Sequence, residues 1–242
     1  MLVVAACCPH PPGLLPEVSV GAAGDLAGVR EACRVAVRTV WDARPDLLVL
    51  VGTAPATGPV PLAGRGSLAG YGVGVEVTLD PAGAPGAGPA WPLSLTVGAW
   101  LLRQAGGVPR GTAVALYGVH PAEPPGRCTG VGAALARRAD RVGLLVLGDG
   151  TACRGEKAPG YLDPRAADFD AAVARALAAA DPAALAALDA ALAEQLQAAG
   201  RAPWQVLAGA AEDGSYTGEL LAEGDPWGVA YLVAIWRRAA GR

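Results

Sequence analysis

Two histidines, His10 and His120, are the whole imidazole complement of this chain. Any site built on imidazole, whether a metal centre or an acid/base centre, must therefore use one or both. His10 lies in Cys7-Cys8-Pro9-His10-Pro11-Pro12, directly behind the apolar run Leu2-Val3-Val4-Ala5-Ala6. A histidine at the exit of a buried parallel strand stands at the carboxyl edge of a sheet, where α/β proteins collect ligands. The alternative is a histidine that caps the strand end through backbone hydrogen bonds. His120 precedes Pro121, and it reads either as part of a surface turn or as a second site residue.

The other polar concentration is Gly148-Asp149-Gly150-Thr151-Ala152-Cys153-Arg154-Gly155-Glu156-Lys157, directly after an all-apolar run. Glycines there leave backbone N–H groups free to meet an anion, with Arg154 and Lys157 adding positive charge. The segment lacks the GK[ST] ending of a nucleotide loop and follows a late strand, so its likeness to one is loose. The competing reading is an ordered loop in which Asp149 caps a turn and Glu156 pairs with Lys157. Cys153 beside Arg154 has the setting of a thiol with a lowered pKa, whereas Cys7 and Cys8 read as core thiols.

These residues need a frame, and the hydrophobic pattern predicts one. Leu2–Cys8, Asp46–Gly52 and Val142–Leu147 are continuous in hydrophobicity, as strands buried on both faces are, and Thr112–Val119 adds a fourth strand. Helical spacing runs through Leu26, Val29, Cys33, Val37 and Val40 behind an Asp25 cap, and through Leu93–Gln104 and Cys128–Arg138. Residues 53–92, rich in Gly and Pro, read as loops around one short strand at Gly74–Leu79. Two Ala-rich helices span 165–180 and 182–199, the second with Leu185, Leu188, Leu192 and Leu196 as its apolar stripe. A short helix at 203–212 precedes a final strand pair near 216–222 and 229–236. This alternation predicts one α/β domain over 1–242, a mostly parallel sheet with helices on both faces. The three apolar strands should be adjacent or near-adjacent in the sheet, with His10, Thr53, His120 and Asp149 on one edge.

Composition excludes several functions. With 52% hydrophobic and 17% charged residues and a net charge of −3, the 242-residue chain has a large core and no basic stripe for nucleic acid. The first apolar run is too short for a membrane span or a signal-peptide core. Five cysteines without a CxxC pair argue for reduced thiols and a cytoplasmic protein. The partner left is a small aromatic or anionic molecule, and a homo-oligomer stays open. Six tryptophans read as core or interface anchors.

Five segments taken in order, PHPP behind the first strand, PDLLVLVG, PAEPPGRCTGVGAALARR, the GDG turn with KAPGYLDPRAADFD, and PWQVLAGAA, resemble the class III extradiol ring-cleavage dioxygenase superfamily. The likeness is to the catalytic β-subunits of protocatechuate 4,5-dioxygenases and to Memo-like proteins, within a divergent Ala-rich subgroup of high-GC bacteria. The resemblance implies that fold and a non-haem Fe(II) site that cleaves a catechol ring, with two histidines and a glutamate on the metal and a further histidine as acid/base. His10 matches the first iron ligand. The second falls at Thr53-Ala54-Pro55, the acid/base histidine at Ala152, Cys153 and Arg154, and the glutamate at Gly200-Arg201-Ala202-Pro203, none of which keeps the implied residue. A rebuilt site would draw on His120 with Asp149 or Glu156. The alternative is a metal-free member that binds a small ligand or a partner chain.

Overall fold

A computed structural model describes residues 1–79 and 88–239. The chain runs through β1 (Leu2–Cys8), α1 (Ala27–Asp42), β2 (Leu47–Thr53), β3 (Gly58–Val60), β4 (Gly66–Ser67), β5 (Glu76–Val77) and α2 (Leu93–Gln104). It continues through β6 (Ala113–Val119), α3 (Pro125–Ala136), β7 (Val142–Leu147) and α4 (Arg165–Ala179). The last elements are α5 (Pro182–Ala186), α6 (Ala190–Gln195), α7 (Arg201–Ala210), β8 (Tyr216–Gly224) and β9 (Tyr231–Arg238).

Seven strands form one sheet in the order β3-β6-β2-β7-β1-β9-β8. The four central strands are parallel, and antiparallel β3 on one side and the β9–β8 pair on the other extend the sheet. The expected α/β layering is present, and the three apolar strands are consecutive neighbours. Each side chain of a strand points opposite to the next, and both faces are covered. Val4, Ala6 and Cys8 pack in one core with α1 and α2, while Ala5 and Cys7 pack in the other with the helices from α3 onward.

Several local expectations shift for physical reasons. Asp25 does not cap α1, whose N-cap Leu26 makes no side-chain cap bond; the carboxylate accepts a hydrogen bond from Trp227 Nε1 (3.1 Å). The helix expected over 182–199 is two, because Asp189 accepts from the N–H groups of Ala191 and Leu192 (2.8 and 3.0 Å) and restarts the helix at α6. Leu185 and Leu196 are fully buried, so the apolar stripe survives the break. The strand expected at 74–79 shrinks to β5, and the Pro/Gly-rich run 81–87 lies outside the described residues. Among the described residues no helix is long and apolar enough to cross a membrane.

Candidate functional site

The parallel strands deliver their exits side by side: His10 after β1, Asp149 after β7, Thr53 at the end of β2 and His120 after β6. His10 and Asp149 follow adjacent strands and meet. The His10 backbone N–H donates to Asp149 Oδ1 (2.7 Å), and the ring nitrogen Nδ1 lies 3.7 Å from the same oxygen. Nδ1 is sealed from solvent without a hydrogen-bond partner, and only 9% of the His10 side chain is exposed. Burial pushes the Asp149 carboxyl up, opposed by the charge of His10 and by its backbone N–H.

Both residues line a cavity of about 350 Å³ whose apolar wall includes Leu93, Trp227 and Tyr231. Trp227 meets Tyr231 edge-on, with ring centroids 6.5 Å apart. Burial first, then the Asp149 carboxylate, pushes the Tyr231 phenol up, so this hydroxyl stays protonated beside the pair.

His120 belongs elsewhere. Three strand spacings separate the ends of β1 and β6, about 14 Å of backbone, and His120 lines a second cavity of about 590 Å³ with Thr53 and Arg201. Gln197 and Ala199 line both cavities and form the partition between them. Thr53 is tied to that partition, its hydroxyl donating to Ala199 O (2.8 Å). His120 Nδ1 accepts from Ala122 N–H (3.1 Å), which leaves Nε2–H as its donor. The sheet edge thus carries two cavities where the sequence predicts one crevice.

The Gly148–Lys157 loop divides its residues. Asp149 and Ala152 reach the His10 cavity, as expected of a wall. Arg154 does not line it: its Nε lies 2.9 Å from Asp225 Oδ2 and 3.9 Å from Asp170 Oδ2. The Arg154 charge is satisfied by carboxylates from α4 and the β8–β9 connection. Glu156 and Lys157 are exposed, and neither the Glu156–Lys157 pair nor a role for them in the cavity is found among the described residues. Asp170, itself buried, accepts from Thr151 N–H (2.9 Å) and Thr151 Oγ1 (2.6 Å) and pins the turn.

The sequence setting of Cys153 suggested a reactive thiol, and the structure corrects it. Burial raises the Cys153 pKa, and the Asp163 and Asp170 carboxylates raise it further. All five cysteines are buried and free, and burial pushes Cys128 up to about 11. In the native protein none of the five should react with a disulfide reagent at pH 8 within minutes, and all five should react in urea. Rapid labelling of Cys153 in the folded state would restore it as a nucleophile.

The residues do not fit the iron site that the family resemblance implies. A facial triad needs three protein ligands. Among the described residues no group of three His, Cys, Asp or Glu side chains converges as ion ligands would. His10 has one carboxylate beside it, and His120 faces another cavity.

Sequence reasoning missed Tyr231, Gln197 and Arg201 as lining residues. Arg201 carried a signal, a lone cation opening an apolar helix, whereas nothing local marks Gln197.

No known protein family matches the sequence, and no curated protein does. Among solved structures the chain is similar to the uncharacterized protein JW3007 from Escherichia coli K12. The TM-score is 0.53 at 15% identity, over 97% of this chain and 99% of that one. That likeness extends the α/β fold to both chains and goes no further.

Proposed function

We propose that the protein binds a small hydroxylated aromatic molecule in the His10 cavity and moves a proton there without iron. The observation that carries this reading is the His10–Asp149 pair: the buried Nδ1 edge faces the carboxylate, and the ring borders an apolar, aromatic-walled cavity. Asp149 Oδ1 holds the His10 backbone N–H (2.7 Å) and lies 3.7 Å from Nδ1, and an imidazole bordering the cavity is the side chain type best suited to exchange a proton with a bound hydroxyl. Trp227, Tyr231 and Leu93 supply the apolar walls that a ring would fill and exclude water. Five free thiols support a reducing, cytoplasmic setting.

Two measurements test it. Protein grown with added iron and purified anaerobically is expected to hold no stoichiometric iron and to leave protocatechuate uncleaved. Because the chain has two histidines, nitrogen-15 histidine spectra with a His10→Gln control assign each ring. Catechol added in the presence of a chelator should shift the His10 ring and spare His120. A catechol response that requires iron would overturn the reading.

A further inference from the structure

The second cavity holds a charge that the protein leaves unbalanced. Arg201, the first residue of α7, is 3% exposed, and among the described residues no carboxylate lies within the 4.0 Å of an ion pair with it. Its guanidinium has five N–H donors. Nη1 donates to Glu123 O (2.6 Å) and to Gln205 Oε1 (3.0 Å), and Nη2 donates to Pro121 O. That accounts for three of the five and leaves Nε–H and one Nη2–H without an acceptor among the described residues. Nε is not among the sealed, unpartnered polar atoms, and Arg201 lines the cavity, so this donor is open to a ligand.

The nearby carboxylates are engaged elsewhere or stand at the rim. Glu123 gives Arg201 only its backbone oxygen, while its side chain takes the Thr57 hydroxyl and lies 3.2 Å from Arg127 Nε. Glu194 lines the cavity from an exposed position, where water screens it. A buried cation balanced only by carbonyl dipoles is costly. Arg201 also sits in the first turn of a helix, the end that favours an anion. Most of the remaining wall is small and apolar, including Pro121, Ala122, Ala193 and Ala198, with His120, Thr53 and Gln197 as polar points.

We propose that this cavity is a binding site for an organic carboxylate with an apolar body, held by the open edge of Arg201. The carboxylate takes the two unused N–H donors, a planar fork that matches its two oxygens. The apolar body lies along the alanines. The site is separate from the His10 cavity and does not depend on the reading given for it.

Phenylacetate is the probe, and phenylacetamide is its uncharged match. Calorimetric titration of the full chain should show saturable phenylacetate binding and at least about tenfold weaker phenylacetamide binding, the scale of a lost charge-assisted hydrogen bond. Nitrogen-15 histidine spectra should show the His120 ring shifting while His10 stays. Arg201→Gln should weaken phenylacetate by about tenfold or more. Because Arg201 also ties α7 to the segment before α3, that variant can lose stability. Ala191→Phe places its ring at an exposed position of the cavity wall and should block binding with the melting temperature unchanged. His10→Gln should bind phenylacetate as the native chain does. Equal affinity for acid and amide, absence of saturable binding, or undiminished binding by Ala191→Phe would each overturn the proposal.

Discussion

Replacing Gly209 with alanine is expected to cost about 3 kcal/mol or more, the upper end of overpacking penalties, and to lower the melting temperature by about 10 °C in a domain of this size. Helices α3 and α7 touch backbone to backbone. A Cβ at Gly209 would fall 1.9 Å from Thr129 O, and one at Gly132 would fall 1.9 Å from Val206 O. Neither obstacle is a side-chain tip that could swing away, so the helices must separate. Gly130→Ala, in α3 two residues from Gly132 and with nothing within 4 Å, is the control, and helix propensity should make it neutral or stabilising by about 0.5–1 kcal/mol. Equal melting temperatures for Gly209→Ala and Gly130→Ala would show that the two helices are not locked. Because α7 begins with Arg201, the crossing also sets where the guanidinium stands.

Asp170→Ala is expected to cost about 3 kcal/mol, read as a shift in urea midpoint at constant slope. The substitution strands the Thr151 N–H and hydroxyl in a buried place and removes one of the two carboxylates near Arg154. Burial raises the Asp170 pKa, opposed chiefly by the Thr151 hydroxyl and N–H, so the carboxylate is held by these bonds against its desolvation. Asp170→Asn keeps an acceptor for the N–H, and the threonine hydroxyl can itself accept from the amide, so the loss should be clearly smaller. A loss as large with asparagine as with alanine would mean that charge, and not the hydrogen bonds, holds the turn. Asp149 follows this turn's first glycine, so a loosened loop should also disturb the pairing with His10.

The central strands were legible because burial on both faces writes itself as unbroken hydrophobicity: Leu47–Thr53 and Val142–Leu147 can hardly be anything else. Helix α2 was legible to the residue. The Ala-rich region was not, since alanine suits helix and break alike and only Asp189 marked the restart. The adjacency of His10 and Asp149 follows from β1 lying beside β7, an order that the sequence narrows only to adjacent or near-adjacent strands with their exits on one edge. The division of the sheet edge into two cavities was not legible, because Gln197 and Ala199 come from the connection after α6, whose path depends on packing. The charged loop misled for a related reason: the partners of Arg154 lie 16 and 71 residues away, at Asp170 and Asp225, and no local pattern announces them.

The strand order also sets a schedule. Strand β1 lies inside the sheet, yet its partners are β7 and β9, and among the described residues none of the strands between β1 and β7 in the chain pairs with it. During synthesis at roughly 5–20 residues per second, its first partner follows it by roughly 7 to 27 seconds. Until then Leu2–Cys8 is an apolar strand with both edges open, the kind of segment that pairs with the wrong chain. Long-range pairing of this sort slows folding. Yield from rapid expression is therefore expected to be limited by the wait for β7, and slower translation at low temperature should raise the folded fraction more than any gain in final stability would.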